Sequence, residues 1–148
     1  MVKYVSGVWA LNLPSPTDTT GDWHASSLPW DQMPFYESDQ FPFGMWGIVL
    51  ESPVRIPEHE GQRLNVATHP RAVVDLIATG DLLQAQGMRD DYIGNGEYTP
   101  DIFQHVLMLR DQPHWNEIDA FMLHEYGLAW YNTTRPEAHL TPWYARVS

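Results

Sequence analysis

The residues best suited to chemistry lie close together near the N-terminus. Positions 17–24 read Thr-Asp-Thr-Thr-Gly-Asp-Trp-His. Hydroxyls, two carboxylates, a glycine and an imidazole fall within eight positions. Asp22 and His24, two apart, could orient one another, ligate a metal or transfer a proton. Thr19 or Thr20 could add a hydroxyl. A plainer use competes: Thr and Asp bond nearby backbone in turns, Gly21 permits a positive φ, and Trp23 anchors a loop. The string is distinctive but diagnoses no reaction, so Asp22 and His24 are the catalytic candidates only if the chain is an enzyme.

The seven histidines raise the question of a metal: His24, His59, His69, His105, His114, His124 and His139. None belongs to H-E-x-x-H, and no two stand four apart, the spacing of a helical metal site. Asp101 and His105 have that spacing as a mixed pair. In Glu58-His59-Glu60 an extended chain would put the carboxylates on one side and the imidazole on the other. No metal site and no cofactor is expected. The sequence has no cysteine, which excludes disulfides, thiolate zinc and a Cys nucleophile. It also lacks a phosphate-binding loop, a G-x-G-x-x-G turn and a G-x-S-x-G elbow. Gly94-Asn95-Gly96 follows a helical pattern and reads as a turn. Asp90 and Asp91 are adjacent, project differently and read as a solvated face. Asn132-Thr133-Thr134 matches a glycosylation acceptor, which has no meaning without an export signal.

These residues need elements to hold them. The 148 residues suit one domain, 1–148, with a strand-and-loop part (1–64) and a helical part (65–148). Residues 4–13 read as a strand or bent strand, with Gly7 marking a bulge or a close backbone approach. Residues 14–44 read as a long loop carrying Trp23, Trp30, Phe35, Tyr36, Phe41 and Phe43. Such a loop is uncommon unless functional or disordered, and its rings argue for order. Residues 45–50 and 53–57 read as strands, the latter at an edge because of its prolines. From residue 66 the apolar period becomes helical. Thr68 caps a helix with Pro70 in its first turn and Gly80 as its stop. Asp81 caps a second helix, ended by residues 94–96. Thr99-Pro100-Asp101 opens a third, and Pro113 a fourth, which runs to Gly127. Residues 128–148 fit no assigned element. The fold expected is α+β: a small N-terminal antiparallel sheet and a long aromatic loop, packed on about four short helices.

Charge bounds the function. Eight Lys and Arg oppose 19 Asp and Glu, for a net charge of −11. Residues 1–64 hold three cations against eight acids, and residues 65–148 five against eleven. A field of that sign repels phosphate backbones, so direct nucleic-acid binding is not expected. No apolar run spans a membrane and no leader is evident, so the cytoplasm is the expected compartment. A basic protein partner would suit the charge.

The opening residues, Tyr4-Val-Ser and Ala10-Leu-Asn-Leu-Pro14, with Thr19-Thr-Gly-Asp-Trp-His24, resemble a group of uncharacterised bacterial proteins. Residues 71–76 and 86–91 are similar to it as well. Members of the group occur beside nucleotidyltransferase-like toxins. The resemblance implies an antitoxin or immunity component, in a toxin–antitoxin system, that masks a basic, nucleotide- or RNA-handling partner by protein–protein interaction. Its contact residues would be Trp23, Trp30, Asp31, Phe35, Tyr36 and Asp39: rings as anchors, carboxylates for steering. The alternatives are a small hydrolytic or metal-assisted enzyme using Asp22 and His24, and an acidic nucleic-acid mimic.

Overall fold

A computed structural model describes residues 1–13, 28–54, 56, 59, 61–86 and 97–135. Asp22, Trp23, His24, Glu58, Glu60, Asp90 and Asp91 lie outside them. The fold is α+β, with two small antiparallel sheets and short helices.

Strand β1 (Lys3–Tyr4) pairs with β2 (Tyr36–Glu37), Lys3 opposite Glu37 and Tyr4 opposite Tyr36. Strand β3 (Ile48–Pro53) pairs with β4 (Arg63–Ala67), with a register shift between Val49 and Ser52. A parallel bridge, Val5 to Val66, joins the two ladders. The Val5 N–H donates to Asn65 O and Val5 O accepts from the Ala67 N–H, both at 2.8 Å. The strands therefore lie in the order β2, β1, β4, β3.

Only the first residues of the expected strand 4–13 are extended. Gly7 has φ +60, a conformation open to glycine at little cost. It turns the chain into a five-residue helix, α1 (Gly7–Leu11). The close backbone approach expected of Gly7 is present: a Cβ there would lie 2.5 Å from the Tyr36 hydroxyl. The expected strand at 45–50 begins only at Ile48, after a series of turns. Of the expected edge strand 53–57, Pro53 is instead the last residue of β3 and pairs with Arg63, while residues 55 and 57 lie outside the described residues. Strand β4 occupies the residues where the helical period was expected to begin.

Helix α2 (His69–Thr79) follows its sequence signals. The Arg71 N–H donates to Thr68 Oγ1 at 3.4 Å, Pro70 sits in the first turn, and Gly80 closes the helix at φ 85. Every residue from His69 to Ile77 is buried, because α1, β4 and α4 (Thr99–Val106) surround it. It is a central helix rather than a one-sided amphipathic one. Helix α3 (Leu82–Ala85) is a single turn, and Asp81 does not cap it through its side chain. Tyr98 precedes α4, with Thr99 and Pro100 in its first turn. Helix α5 (Trp115–Tyr126) starts two residues after Pro113.

After Gly127 the unassigned tail begins with a helix, α6 (Leu128–Thr134). Its Trp130 is fully buried, set edge-on to Phe103 at 5.1 Å, and its Nε1 donates to Asp119 Oδ1 at 2.8 Å. No helix among the described residues is long and apolar enough to cross a membrane.

Candidate functional site

The aromatic segment from residue 28 to 46 separates into an inner and an outer set of side chains. Trp30, in a short 3-10 turn, is 6% exposed and sits edge-on to Trp9 at 5.4 Å. Its ring is committed to the core. Tyr36 is half-buried, and burial next to Asp75 and Asp81 pushes its hydroxyl up to about 12. From Tyr36 a file of rings runs through the buried Phe43 to the half-buried Trp46: Phe41 at 6.3 Å, Phe43 5.9 Å beyond it, then Trp46 at 6.4 Å. Trp46 lies flat on the His105 imidazole, 3.6 Å between centroids and 9° between planes. His105 Nδ1 donates to the Asp101 carbonyl at 2.7 Å. The i, i+4 pair Asp101 and His105 thus meets through backbone, and His105 ties α4 to the segment.

Ser38 fastens the segment to the N-terminus. Its N–H donates to Val2 O at 2.8 Å, and its Oγ accepts from the Val2 N–H at 2.9 Å. The Glu37 N–H donates to Gln40 Oε1 at 2.8 Å. On this fixed frame Asp31 and Asp39 are exposed, and Phe35 is 39% exposed with its ring edge-on to His59. Of the six expected contact residues, the structure places Asp31, Phe35 and Asp39 outward, Tyr36 half-buried and Trp30 inward; Trp23 is outside the described residues. The two catalytic candidates, Asp22 and His24, are outside them as well.

A second set of ionisable residues, outside the candidates named from the sequence, is buried. Arg71 and Asp75, one turn apart on α2, are both 0% exposed. Arg71 Nε donates to Asp75 Oδ1 at 2.9 Å, and its other nitrogens donate to Gly44 O, Trp46 O and the Tyr4 hydroxyl. Asp75 Oδ2 accepts from Tyr4 at 2.7 Å and Ser6 at 2.6 Å. The guanidinium also lies 5.2 Å from the ring centres of Tyr4 and Phe43.

Burial raises the Asp75 carboxyl above its ordinary range, against the pull of Arg71, Ser6 and Tyr4. Burial likewise raises the Tyr4 hydroxyl, and Asp75 adds to the effect. With no exposure, this cluster holds structure: it fastens β1 and the 44–46 turn to α2. The i, i+4 spacing of Arg71 and Asp75 was visible in the sequence, but on a helix it usually marks a surface pair.

His69, also fully buried, donates from Nε2 to Leu13 O at 2.7 Å. Burial lowers its proton affinity. Among the described residues no group of three or more His, Asp or Glu side chains could hold a metal ion. No protein-family profile matches the chain, and neither a curated protein nor a solved structure matches it.

Proposed function

We propose that this chain is a binding protein that masks a basic protein partner, acting as an antitoxin or immunity component does on a nucleotide- or RNA-handling toxin. The observation that carries the reading is the outer set of the 28–46 segment. An exposed ring, Phe35, stands on a backbone anchored by Trp30 and Ser38, and the carboxylates of Asp31 and Asp39 are exposed on the same segment. A preordered loop loses little entropy on docking, and aromatic side chains dominate interface energies. The net charge of −11 supplies an attractive field for a basic surface. The encounter is a cytoplasmic one in this reading, and masking works by occlusion.

The experiment is co-expression with the product of the adjacent gene. A stable complex, with growth restored when that product is toxic, is expected. Phe35→Ala should weaken the complex about tenfold or more, and Asp31→Asn with Asp39→Asn should slow its formation. Absence of both complex and rescue overturns the reading.

A further inference from the structure

The chain has few cations, and where the described ones go is informative. Arg71 is sealed in the core, Arg135 pairs with Asp119, and Arg110 is exposed at the turn after α4. Lys3, the only lysine of the chain, and Arg63 line one cleft on the sheet. Among the described residues Glu51, Asn65, Leu64 and Phe35 line it as well, and its volume is about 290 Å³.

The cleft is a built feature. The irregularity in β3 between Val49 and Ser52 carries Glu51 at φ 50. A side-chain-bearing residue costs about 1–2 kcal/mol in that conformation, and bulges of this kind re-aim side chains beside functional sites. The Asn65 amide holds the arrangement from both ends. Its Oδ1 accepts from the Glu51 N–H and its Nδ2 donates to the Lys3 carbonyl, each at 2.9 Å. One amide therefore fixes the backbone of a cationic and an anionic member of the lining. Phe35 and Leu64 add an apolar wall.

The charges select the ligand. A phosphate would meet Glu51, and a simple cation would meet Lys3 and Arg63. A molecule carrying both signs satisfies all three: a carboxylate for Lys3 and Arg63, an ammonium for Glu51. The volume falls just below the usual range of small-molecule pockets, about 300 Å³ upward, which leaves room for one compact molecule at most. We propose that this cleft binds a free α-amino acid with an apolar side chain, the side chain resting on Phe35 and Leu64. The site stands apart from the masking of a partner, with Phe35 alone common to both.

Titration of the isotopically labelled full chain with L-phenylalanine, followed by amide NMR, tests this. Phenethylamine, 3-phenylpropionate and inorganic phosphate serve as the partial ligands. Saturable shifts centred on residues 3, 35, 51 and 63–65 are expected, with L-phenylalanine bound at least ~tenfold tighter than each partial ligand. Arg63→Gln, and independently Lys3→Gln, should weaken L-phenylalanine about tenfold while the resonances of α2 stay in place. Glu51→Gln should bring L-phenylalanine and 3-phenylpropionate to similar affinity. No saturation at millimolar concentration overturns the proposal. So do shifts centred elsewhere, or binding of phenethylamine, 3-phenylpropionate or phosphate to the native chain as tight as that of L-phenylalanine.

Discussion

Arg71 and Asp75 show what a buried charge needs in order to be tolerated. Taking either ion out of water is costly, and only the partner charge and a full set of hydrogen bonds offset it. Here the guanidinium has four acceptors and the carboxylate three donated bonds. Removing one partner leaves the other charged and buried. Asp75→Ala is expected to destabilise the fold by about 3–5 kcal/mol in urea unfolding. The double variant Arg71→Met with Asp75→Leu should cost less than Asp75→Ala, since no charge is stranded.

His69 makes a second prediction at this scale. Its folded-state proton affinity is lowered by burial, so the unfolded chain binds the proton first. Stability is then fully present above about pH 6.5, the ordinary histidine value. It falls as pH drops through that value toward the lower folded one, by at most about 1.4 kcal/mol per pH unit. Urea unfolding between pH 7.5 and pH 5.5, roughly bracketing the ordinary value, should show a slope that His69→Gln reduces. An unchanged slope would show that the imidazole is not the group responsible.

At the scale of elements, two glycines with similar backbone angles should behave differently. Gly80 has φ 85 at the end of α2, and nothing lies within 4 Å of where its Cβ would be. Gly80→Ala should therefore carry only the conformational cost, about 1 kcal/mol. Gly47 has φ 70, and its Cβ would meet Arg71 Cβ at 2.6 Å and Thr68 Oγ1 at 3.0 Å. Gly47→Ala should add steric displacement of the first turn of α2, for a total of about 3 kcal/mol. Thermal unfolding of the pair would read the difference, and equal losses would refute it.

The same comparison separates what could be read from the sequence from what could not. Thr68, Pro70 and Gly80 are local signals, each acting within one turn, and they mark α2 correctly. The role of Gly47 depends on Arg71, 24 positions further on. Helix α1 is too short to show a period, so the apolar run at residues 4–13 reads as strand. Strand β4 is masked by the helical pattern that begins directly after it. For the candidate site, the outward setting of Asp31 and Asp39 and the presence of Phe35 were legible in residue type. The inward turn of Trp30 was not, because it depends on Trp9, which α1 supplies.

For the whole molecule the governing quantity is the excess of acid, present in both the 1–64 and 65–148 parts of the chain. Charge spread in this way attracts a basic partner from a distance but does little to orient it. Orientation must come from short-range contacts, and in the masking reading these are Phe35 and the exposed carboxylates of Asp31 and Asp39 on the same segment. The two contributions separate kinetically. Long-range attraction is screened once the Debye length falls below the separation of the charges, about 10 Å at 0.1 M salt and 3 Å at 1 M. Association with the adjacent-gene product should therefore slow by on the order of tenfold between low and high salt, with dissociation changing little. Phe35→Ala should do the reverse, speeding dissociation and leaving association near its native rate. Surface plasmon resonance across a salt series reads both rates. An association rate indifferent to salt would mean that the acidic field takes no part in finding the partner.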